Sequence, residues 1–258
     1  MKPLLLCELL ECRHRRAQKS QWLFERSVSF EPGETTMKLY DKYILPKVVH
    51  FTCGMKPMML QREKVVHRAE GRVLEIGIGS GLNLPFYDAE RVEKVIGLDP
   101  SVEMNRMARR TADQVVVDVE FLECRGEDIP LDDCSVDSIL MTYTLCTIPD
   151  AQRALNQMIR VLRPGGRLIF CEHGAAPDAS VRRWQDRLNP LWGRLGGGCN
   201  LNRDVPELIA QGGFRIDELD TMYLPGWRPA SFNYWGTAAP VQSDEFLRRS
   251  TIGRDRPA

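Results

Sequence analysis

The chain has 258 residues, of which 43% are hydrophobic, enough for one α/β domain with a filled core. Its 35 Lys and Arg residues balance its 35 Asp and Glu residues, and this zero net charge argues against a nucleic-acid-binding protein. No apolar run reaches the length of about 18–20 residues that spans a bilayer, so we expect a cytoplasmic protein without a transmembrane segment, with peripheral membrane contact left open.

The first 36 residues differ in character from the rest of the chain. They are charged, they lack a sustained hydrophobic period, and Met37 follows them. We predict an N-terminal extension over residues 1–36 that is either not native or a mobile arm, with a docked helix as a third alternative. The domain itself is expected over residues 37–240, and a polar tail over residues 241–258.

Residues 37–70 predict a helical cover for the domain. Apolar side chains recur at spacings of three and four over residues 40–51, as they do on one face of a helix. A Gly and a Pro then interrupt the pattern, and a second helix is predicted over residues 58–69. Tyr43 is a candidate for the acceptor side of a pocket beneath this cover, although a place in the core explains it equally well.

Short apolar strands and helices alternate over residues 71–175, the predicted core. Strands are predicted at residues 72–77, 94–99, 119–123, 136–142 and 167–173, and helices most clearly at residues 101–112 and 150–161. This alternation implies a parallel sheet with helices on both faces. In the region over residues 176–240, strands at 214–223 and 231–238 are too close for a helical crossover and should form a hairpin. The fold class is therefore α/β, a Rossmann-like doubly wound sheet of about seven strands, mostly parallel, with one antiparallel strand near the C-terminus.

The main functional signal lies at the end of the first predicted strand. Glu75 lies inside the end of the strand, Gly77, Gly79 and Gly81 form the turn, and a helix is predicted after them. Glycines permit a tight turn and allow a ligand to approach backbone N–H groups. A dinucleotide site prefers G-x-G-x-x-G, whereas the spacing here is G-x-G-x-G. The carboxylate of Glu75 would repel a pyrophosphate and suits a ligand with an ammonium group, such as the methionine part of S-adenosylmethionine.

Acidic residues follow the second and third predicted strands. Asp99 is at the tip of the second strand, where a carboxylate accepts hydrogen bonds from ribose hydroxyls; a helix N-cap is the alternative. Glu127 and Asp128 follow the third strand and are candidates for the adenine amino group, with Asp128 preferred, or members of a polar turn. Together with the glycine turn, these positions predict a ligand that contains adenosine.

With these motifs, residues 73–175 resemble the class I S-adenosylmethionine-dependent methyltransferases of the type 11-like kind. The resemblance implies S-adenosylmethionine as cofactor and S-adenosylhomocysteine as product. It implies that the glycine turn surrounds the methionine end, that Asp99 holds the ribose, and that Glu127 and Asp128 flank the adenine. The other pocket positions it implies are Pro100, Met104, Met141, Thr142 and Leu145.

Three shorter segments resemble the thiol methyltransferase-like branch of this family. They are residues 144–148, Glu172 with His173, and residues 198–203. Some members of that branch lie on membranes, but their long apolar N-terminal anchor has no counterpart in this sequence. Quinone-pathway C-methyltransferases and phospholipid N-methyltransferases share the core motifs. We therefore expect a small, apolar acceptor, which is a thiol, a quinone-like molecule or a lipid head group.

Residues that act on the acceptor are predicted from the end of the fifth strand onward. His173 is the candidate general base if the acceptor must lose a proton; a bond to Glu172 or to a carbonyl is the alternative. Cys199, Asn200 and Arg203 follow three glycines and are candidates for acceptor contact, with helix capping as the alternative for this polar segment. Tryptophans in this part of the chain suit an apolar pocket, although such residues more often serve packing.

A metal site is not predicted. The eight cysteines include no Cys-x-x-Cys pair, and the four histidines are scattered along the chain. Cysteines within apolar, strand-like runs are expected to be reduced thiols that pack as small hydrophobic groups.

Three other functions compete with a small-molecule methyltransferase. A nicotinamide-dependent reductase needs G-x-G-x-x-G and usually a catalytic Tyr and Lys pair. A non-catalytic S-adenosylmethionine-binding protein would keep the glycine turn and Asp99 without methyl transfer. A nucleic-acid methyltransferase would carry an Asn/Asp-Pro-Pro-Tyr/Phe-like motif after the fourth strand, where this chain has residues 142–145. The oligomeric state is not indicated.

Overall fold

The computed structural model describes Tyr40 and residues 43–241. The predicted extension over residues 1–36, and all of the predicted tail except Val241, lie outside the described residues. The helices are α1 (Leu45–Cys53), α2 (Lys56–Val66), α3 (Val102–Ala112), α4 (Ala151–Val161), α5 (Ala179–Leu195) and α6 (Val205–Gln211), with 3-10 turns at Leu84–Phe86 and Arg228–Ala230. The strands are β1 (Gly71–Ile76), β2 (Val92–Leu98), β3 (Val119–Leu122), β4 (Val136–Thr142), β5 (Leu162–His173), β6 (Phe214–Tyr223) and β7 (Phe232–Pro240).

The seven strands form one sheet in the order β3-β2-β1-β4-β5-β7-β6. Strands β1 to β5 pair in parallel, whereas β7 is antiparallel to both β5 and β6. The prediction of a mostly parallel, Rossmann-like sheet with one antiparallel strand is therefore confirmed. The order reverses between β1 and β4, and the carboxyl ends of these strands border the crevice in which doubly wound sheets bind ligands.

Alternate side chains of the central strands pack into two hydrophobic clusters. Leu74 and Met141 belong to one cluster, whereas Val73 and Leu140 belong to the other. This assignment follows from the strand period of two, which directs successive side chains to opposite faces of the sheet. The strands are buried on both faces, which explains why they read in the sequence as continuous apolar runs.

Two local predictions about the core were wrong. The helix expected after the glycine turn is replaced by the 3-10 turn at Leu84–Phe86. This short segment contains Pro85, which lacks a backbone donor and disfavours a helix interior. Strand β5 begins at Leu162, directly after α4 and five residues before the predicted start. The added residues pair irregularly, with a register shift between Val136 and Ser138 on β4.

The sequence predicted some of the helices better than others. The bounds of α3 and α4 agree with prediction to within one residue, and their amphipathic patterns explain why. Helix α5 was not predicted; it contains Pro190, and Trp184, Leu191 and Leu195 on it are exposed. Among the described residues, none of the helices combines the length and the apolar character needed to cross a membrane.

Candidate active site

The glycine turn after β1 lies at the point where the strand order reverses. Gly77 and Gly79 have φ angles of +69° and +56°, which L-residues with side chains rarely adopt. A Cβ on Gly77 would lie 2.3 Å from Thr144 Oγ1, in the segment after β4. A Cβ on Gly79 would meet only Met104 Cε at 3.6 Å and a nearby backbone oxygen. The turn is therefore packed tightly against the chain at Gly77, whereas a Cβ at Gly79 would make only ordinary van der Waals contacts.

Asp99 follows β2 and holds this turn. Its Oδ2 accepts a hydrogen bond from the Gly79 amide at 3.1 Å, and its Oδ1 accepts one from the Ser101 amide at 2.8 Å. The N-cap of α3 is Ser101, whose hydroxyl accepts from the Met104 amide, so the capping alternative for Asp99 is wrong. Burial raises the pKa of Asp99, although the amides of Ser101 and Gly79 oppose that shift. A carboxylate is thus fixed at the rim of the glycine turn.

Glu75 is buried and makes its hydrogen bonds within the chain. Its Oε1 accepts from Asn83 Nδ2 at 2.8 Å, and its Oε2 accepts from the Tyr87 hydroxyl at 2.7 Å. Burial raises the pKa of Glu75 to about 7, with the Tyr87 and Asn83 hydrogen bonds opposing the shift. The predicted role of Glu75 toward an ammonium group stays a prediction, and in this structure its carboxyl organises the segment after the turn.

Arg62 completes this network, and no motif in the sequence marked it. The side chain is buried on α2, and its Nη1 donates to Asn83 Oδ1 at 2.9 Å and to Thr142 Oγ1 at 2.7 Å. The guanidinium carbon lies 5.0 Å from the centroid of the Tyr143 ring. The helical cover is therefore tied to the carboxyl end of β4 by charged hydrogen bonds and not only by apolar packing.

We expect the effect of Glu75→Gln on the free energy of unfolding to be more favourable at pH 8 than at pH 5. The pKa of this carboxyl rises from its ordinary value of 4.5 to about 7 on folding, so the folded state binds the proton more tightly. Its stabilising effect is fully present below pH 4.5 and is lost as the pH rises to about 7. Because Gln stays neutral, the difference in unfolding free energy between variant and wild type should grow by roughly 2–3 kcal/mol over this range.

Urea unfolding of both proteins at pH 5 and pH 8 measures this difference directly. Glu93→Gln is the matched control, because Glu93 is exposed on β2. A stability difference for Glu75→Gln that does not change with pH would contradict the prediction.

The segment after β4 is anchored from β5. Glu172 is fully buried, and its Oε1 accepts from the amides of Thr144 and Leu145 at 2.8 and 3.0 Å. Burial raises its pKa to about 7, and these two amides oppose the shift. Met141 and Leu145 are themselves fully buried in the hydrophobic core. Their predicted contact with the cofactor remains a prediction.

The two acidic residues after β3 lie in different environments. Glu127 is buried and its Oε1 accepts from the Asp150 amide at 3.3 Å. Asp128 is exposed and forms an ion pair with Arg153 of α4. Glu127 is therefore the more enclosed of the two side chains. The predicted contact of Asp128 with the adenine amino group stays a prediction.

The residues predicted to act on the acceptor meet at the carboxyl end of β5. His173 Nε2 lies 3.2 Å from Cys199 Sγ, and Cys199 Sγ lies 3.6 Å from Cys146 Sγ. Burial lowers the pKa of His173, but the hydrogen bond to Cys199 and the negative charges of Cys199 and Glu172 together outweigh burial, so the net shift is upward. The hydrogen bond with Cys146, and then the one with His173, hold the pKa of Cys199 well below its ordinary value. Cys146 was missed, because its partners are distant in sequence.

The other acceptor-side candidates contact the backbone of this region. Asn200 donates to the Cys146 carbonyl from its backbone N–H at 3.0 Å and from its side-chain Nδ2 at 2.9 Å. Arg203 donates to the Leu145 carbonyl. The cap of α6 is Asp204, so helix capping does not explain Asn200 or Arg203. Tyr43 is 52% exposed.

Comparison with known proteins supplies independent information. Residues 74–170 match the family described as a methyltransferase domain. Thiol S-methyltransferase TMT1B of Homo sapiens is 33% identical over 212 residues, which cover 78% of this chain and 86% of the human protein. The Rattus norvegicus protein of the same name is 32% identical over 169 residues, covering 64% of this chain and 66% of that protein.

The fold also occurs among solved structures. The crystal structure of an S-adenosylmethionine-dependent methyltransferase from Thermotoga maritima, described as a possible histamine N-methyltransferase, has a TM-score of 0.55 and 23% identity. The match covers 81% of this chain and 100% of that chain. At this level of identity, the likeness establishes the fold alone.

Proposed function

The chain belongs to the S-adenosylmethionine-dependent methyltransferases, and from this premise we propose that it methylates the sulfur of a small, apolar thiol. The observation that carries the proposal is the similarity to human thiol S-methyltransferase TMT1B over 86% of that protein. The acceptor side of the site adds support, because two thiols and an imidazole converge there. Quinone-like molecules and lipid head groups are the competing acceptors.

The residues around the glycine turn fit S-adenosylmethionine. Gly79 has left-handed backbone that favours a residue without a side chain, and its amide donates to the Asp99 carboxylate beside it. Asp99 would accept the ribose hydroxyls, and Met104 would pack against the adenosine. Asn105 donates to the Asp99 carbonyl at 2.9 Å, which fixes the backbone behind this carboxylate. Glu127, buried near the end of β3, would lie toward the adenine.

The cofactor supplies an electrophilic methyl group on a positively charged sulfur. The chain's own task is to place an acceptor atom in line with that methyl group and to exclude water. Two tryptophan rings lie on the acceptor side, Trp192 and Trp227, with centroids 5.7 Å apart. Cys146, His173 and Cys199 form what we call the thiol cluster. A Cβ on Gly196 would lie 3.5 Å from Trp192 Nε1 and 3.4 Å from Cys199 Cβ, so this aromatic pair borders the cluster. An apolar acceptor would pack against these rings.

A thiol acceptor also agrees with the state of His173. The imidazole is engaged with Cys199, so it is not a free general base. An ordinary thiol has a pKa of about 8.5 and is partly ionised near neutral pH, whereas a phenol or an alcohol requires more help from a base. We propose that His173 acts on the acceptor as a member of the thiol cluster.

Acceptors that differ only in one atom test this proposal. We expect thiophenol to be methylated, and phenol and aniline of the same ring size to give S-adenosylhomocysteine at background rates. The measurement is liquid chromatography of S-adenosylhomocysteine and of the methylated product, with phosphatidylethanolamine vesicles and a demethylated quinone as further acceptors. Preferred methylation of an oxygen, nitrogen or carbon acceptor would overturn the thiol proposal, as would cofactor binding without turnover on any of them.

A further inference from the structure

We propose that Cys146, His173 and Cys199 form a zinc site whose open fourth position receives the acceptor thiol. The three ligand atoms lie within 4.8 Å of one another. The metal site stands on this geometry alone, whereas the role of the zinc toward the acceptor rests on the proposed function. The prediction of no metal site considered spacing along the chain, and the fold brings together residues far apart in it.

Two of the three distances between the ligand atoms are close to those around a tetrahedral zinc ion, and the distance from Cys146 to His173 is within 4.8 Å. With Zn–S bonds of about 2.3 Å and Zn–N bonds of about 2.1 Å, two sulfur ligands lie about 3.8 Å apart and a sulfur and a nitrogen about 3.6 Å apart. Here the two Sγ atoms are 3.6 Å apart, and Cys199 Sγ is 3.2 Å from His173 Nε2. A change of a few tenths of an ångström in each of these two distances would bring them to the values for zinc.

The cluster is held by the backbone around it. Glu172 binds the amides of Thr144 and Leu145, which fixes the segment that carries Cys146. Asn200 donates two hydrogen bonds to the Cys146 carbonyl and so joins this segment to the loop that carries Cys199. The turn before Cys199 requires left-handed backbone, with φ of +62° and +88° at the two preceding glycines. Cys146 is 3% exposed, and His173 and Cys199 are half-buried, so none of the three is an exposed surface side chain.

The donor set selects the class of metal. Two thiolates and one imidazole are soft to borderline ligands that suit zinc, whereas magnesium and calcium require oxygen ligands. Structural zinc sites have four protein ligands, but catalytic sites keep three and leave one position for water or substrate. The described residues offer three ligand atoms here, which is the catalytic pattern.

Such an ion would activate the acceptor without a general base. A thiol that binds zinc loses its proton, which passes to solvent. The acceptor sulfur then forms a bond to the methyl carbon, and the bond from that carbon to the cofactor sulfur breaks, leaving its electron pair on the cofactor. The products are the methyl thioether and S-adenosylhomocysteine, and the neutral thioether is the weaker zinc ligand and leaves.

Cobalt substitution tests the metal site without the cofactor. We expect the full chain, stripped with a chelator, to bind one Co²⁺ with the near-ultraviolet thiolate charge-transfer band and strong visible bands of tetrahedral cobalt, all displaced by Zn²⁺. Cys146→Ser, Cys199→Ser and His173→Gln should each weaken metal binding by about 100-fold or more. Cys124→Ser is the matched control, because Cys124 is a free, half-buried cysteine outside the cluster.

The possible results separate the two proposals. Absence of a saturable tetrahedral cobalt spectrum in the wild-type chain would overturn the zinc site even if a variant misfolds, and circular dichroism checks the variants themselves. Charge-transfer bands unchanged in the two cysteine variants would also overturn it. Thiophenol, added without cofactor, should shift the charge-transfer band; no shift would refute acceptor coordination. If thiophenol is methylated but no metal binds, the zinc site falls and the proposed function stands.

Discussion

Asp99→Ala is expected to weaken S-adenosylmethionine binding by about 100-fold or more. The carboxylate holds the Gly79 and Ser101 amides, and in our proposal it also accepts the ribose hydroxyls. A hydrogen bond to a charged group contributes about 1.5–3 kcal/mol, so the loss of two accounts for roughly 3 kcal/mol or more. Isothermal titration with S-adenosylmethionine, S-adenosylhomocysteine and NADH measures the effect, and wild type should prefer the two adenosyl ligands.

Asp113→Ala is the control for charge, because Asp113 is an exposed acid at the end of α3. It should leave the dissociation constants unchanged. Asp99→Asn should lie between wild type and Asp99→Ala, since one amide oxygen still accepts hydrogen bonds. Equal affinity in wild type and Asp99→Ala would show that the cofactor binds elsewhere.

Gly77→Ala is expected to destabilise the domain and to abolish cofactor binding together. The residue has a φ of +69°, and an added Cβ would lie 2.3 Å from Thr144 Oγ1. The left-handed backbone costs about 1–2 kcal/mol and the overpacking about 1–3 kcal/mol. We expect the melting temperature to fall by roughly 5–15 °C, measured by scanning calorimetry.

Gly165→Ala separates backbone strain from steric conflict. Its φ is +83°, but nothing lies within 4 Å of the added Cβ. This variant should show the smaller loss of stability and unchanged cofactor affinity. Thr144→Ala, which removes the two closest atoms, should recover part of the stability of Gly77→Ala. If both glycine variants lose the same stability, packing against Thr144 has no role.

The fold followed from patterns that are local in the sequence. Buried parallel strands such as β4 appear as apolar runs because both of their faces are covered, and α4 appears as a period of 3.6 because one of its faces is covered. The hairpin of β6 and β7 followed from the short distance between two such runs. The missed helix α5 has no comparable signal, since Pro190 within it is unfavourable to helix prediction and apolar residues on it are exposed.

The parts of the candidate site that lie on a single backbone segment were predictable from the sequence. The glycine turn and Asp99 each follow a strand, so their neighbourhood follows from sheet topology before any side chain is placed. Arg62 and Asn83 gave no such signal. Their roles depend on hydrogen bonds to groups up to 80 residues away, which no local spacing encodes.

The sequence by itself determined the sheet, the cofactor class and the place of the glycine turn, because strand periodicity and glycine spacing act over a few neighbouring residues. Only the tertiary structure decided which polar side chains are buried and which are exposed to solvent. It buried Glu75 and left Asp128 in solvent, although both are acidic residues in predicted site motifs. It also brought Cys146 and His173 to one edge of the sheet, because the parallel strands β4 and β5 end there whatever their separation in the chain. Cys199 reaches them from the loop after α5, which is bonded through Asn200 to the Cys146 carbonyl.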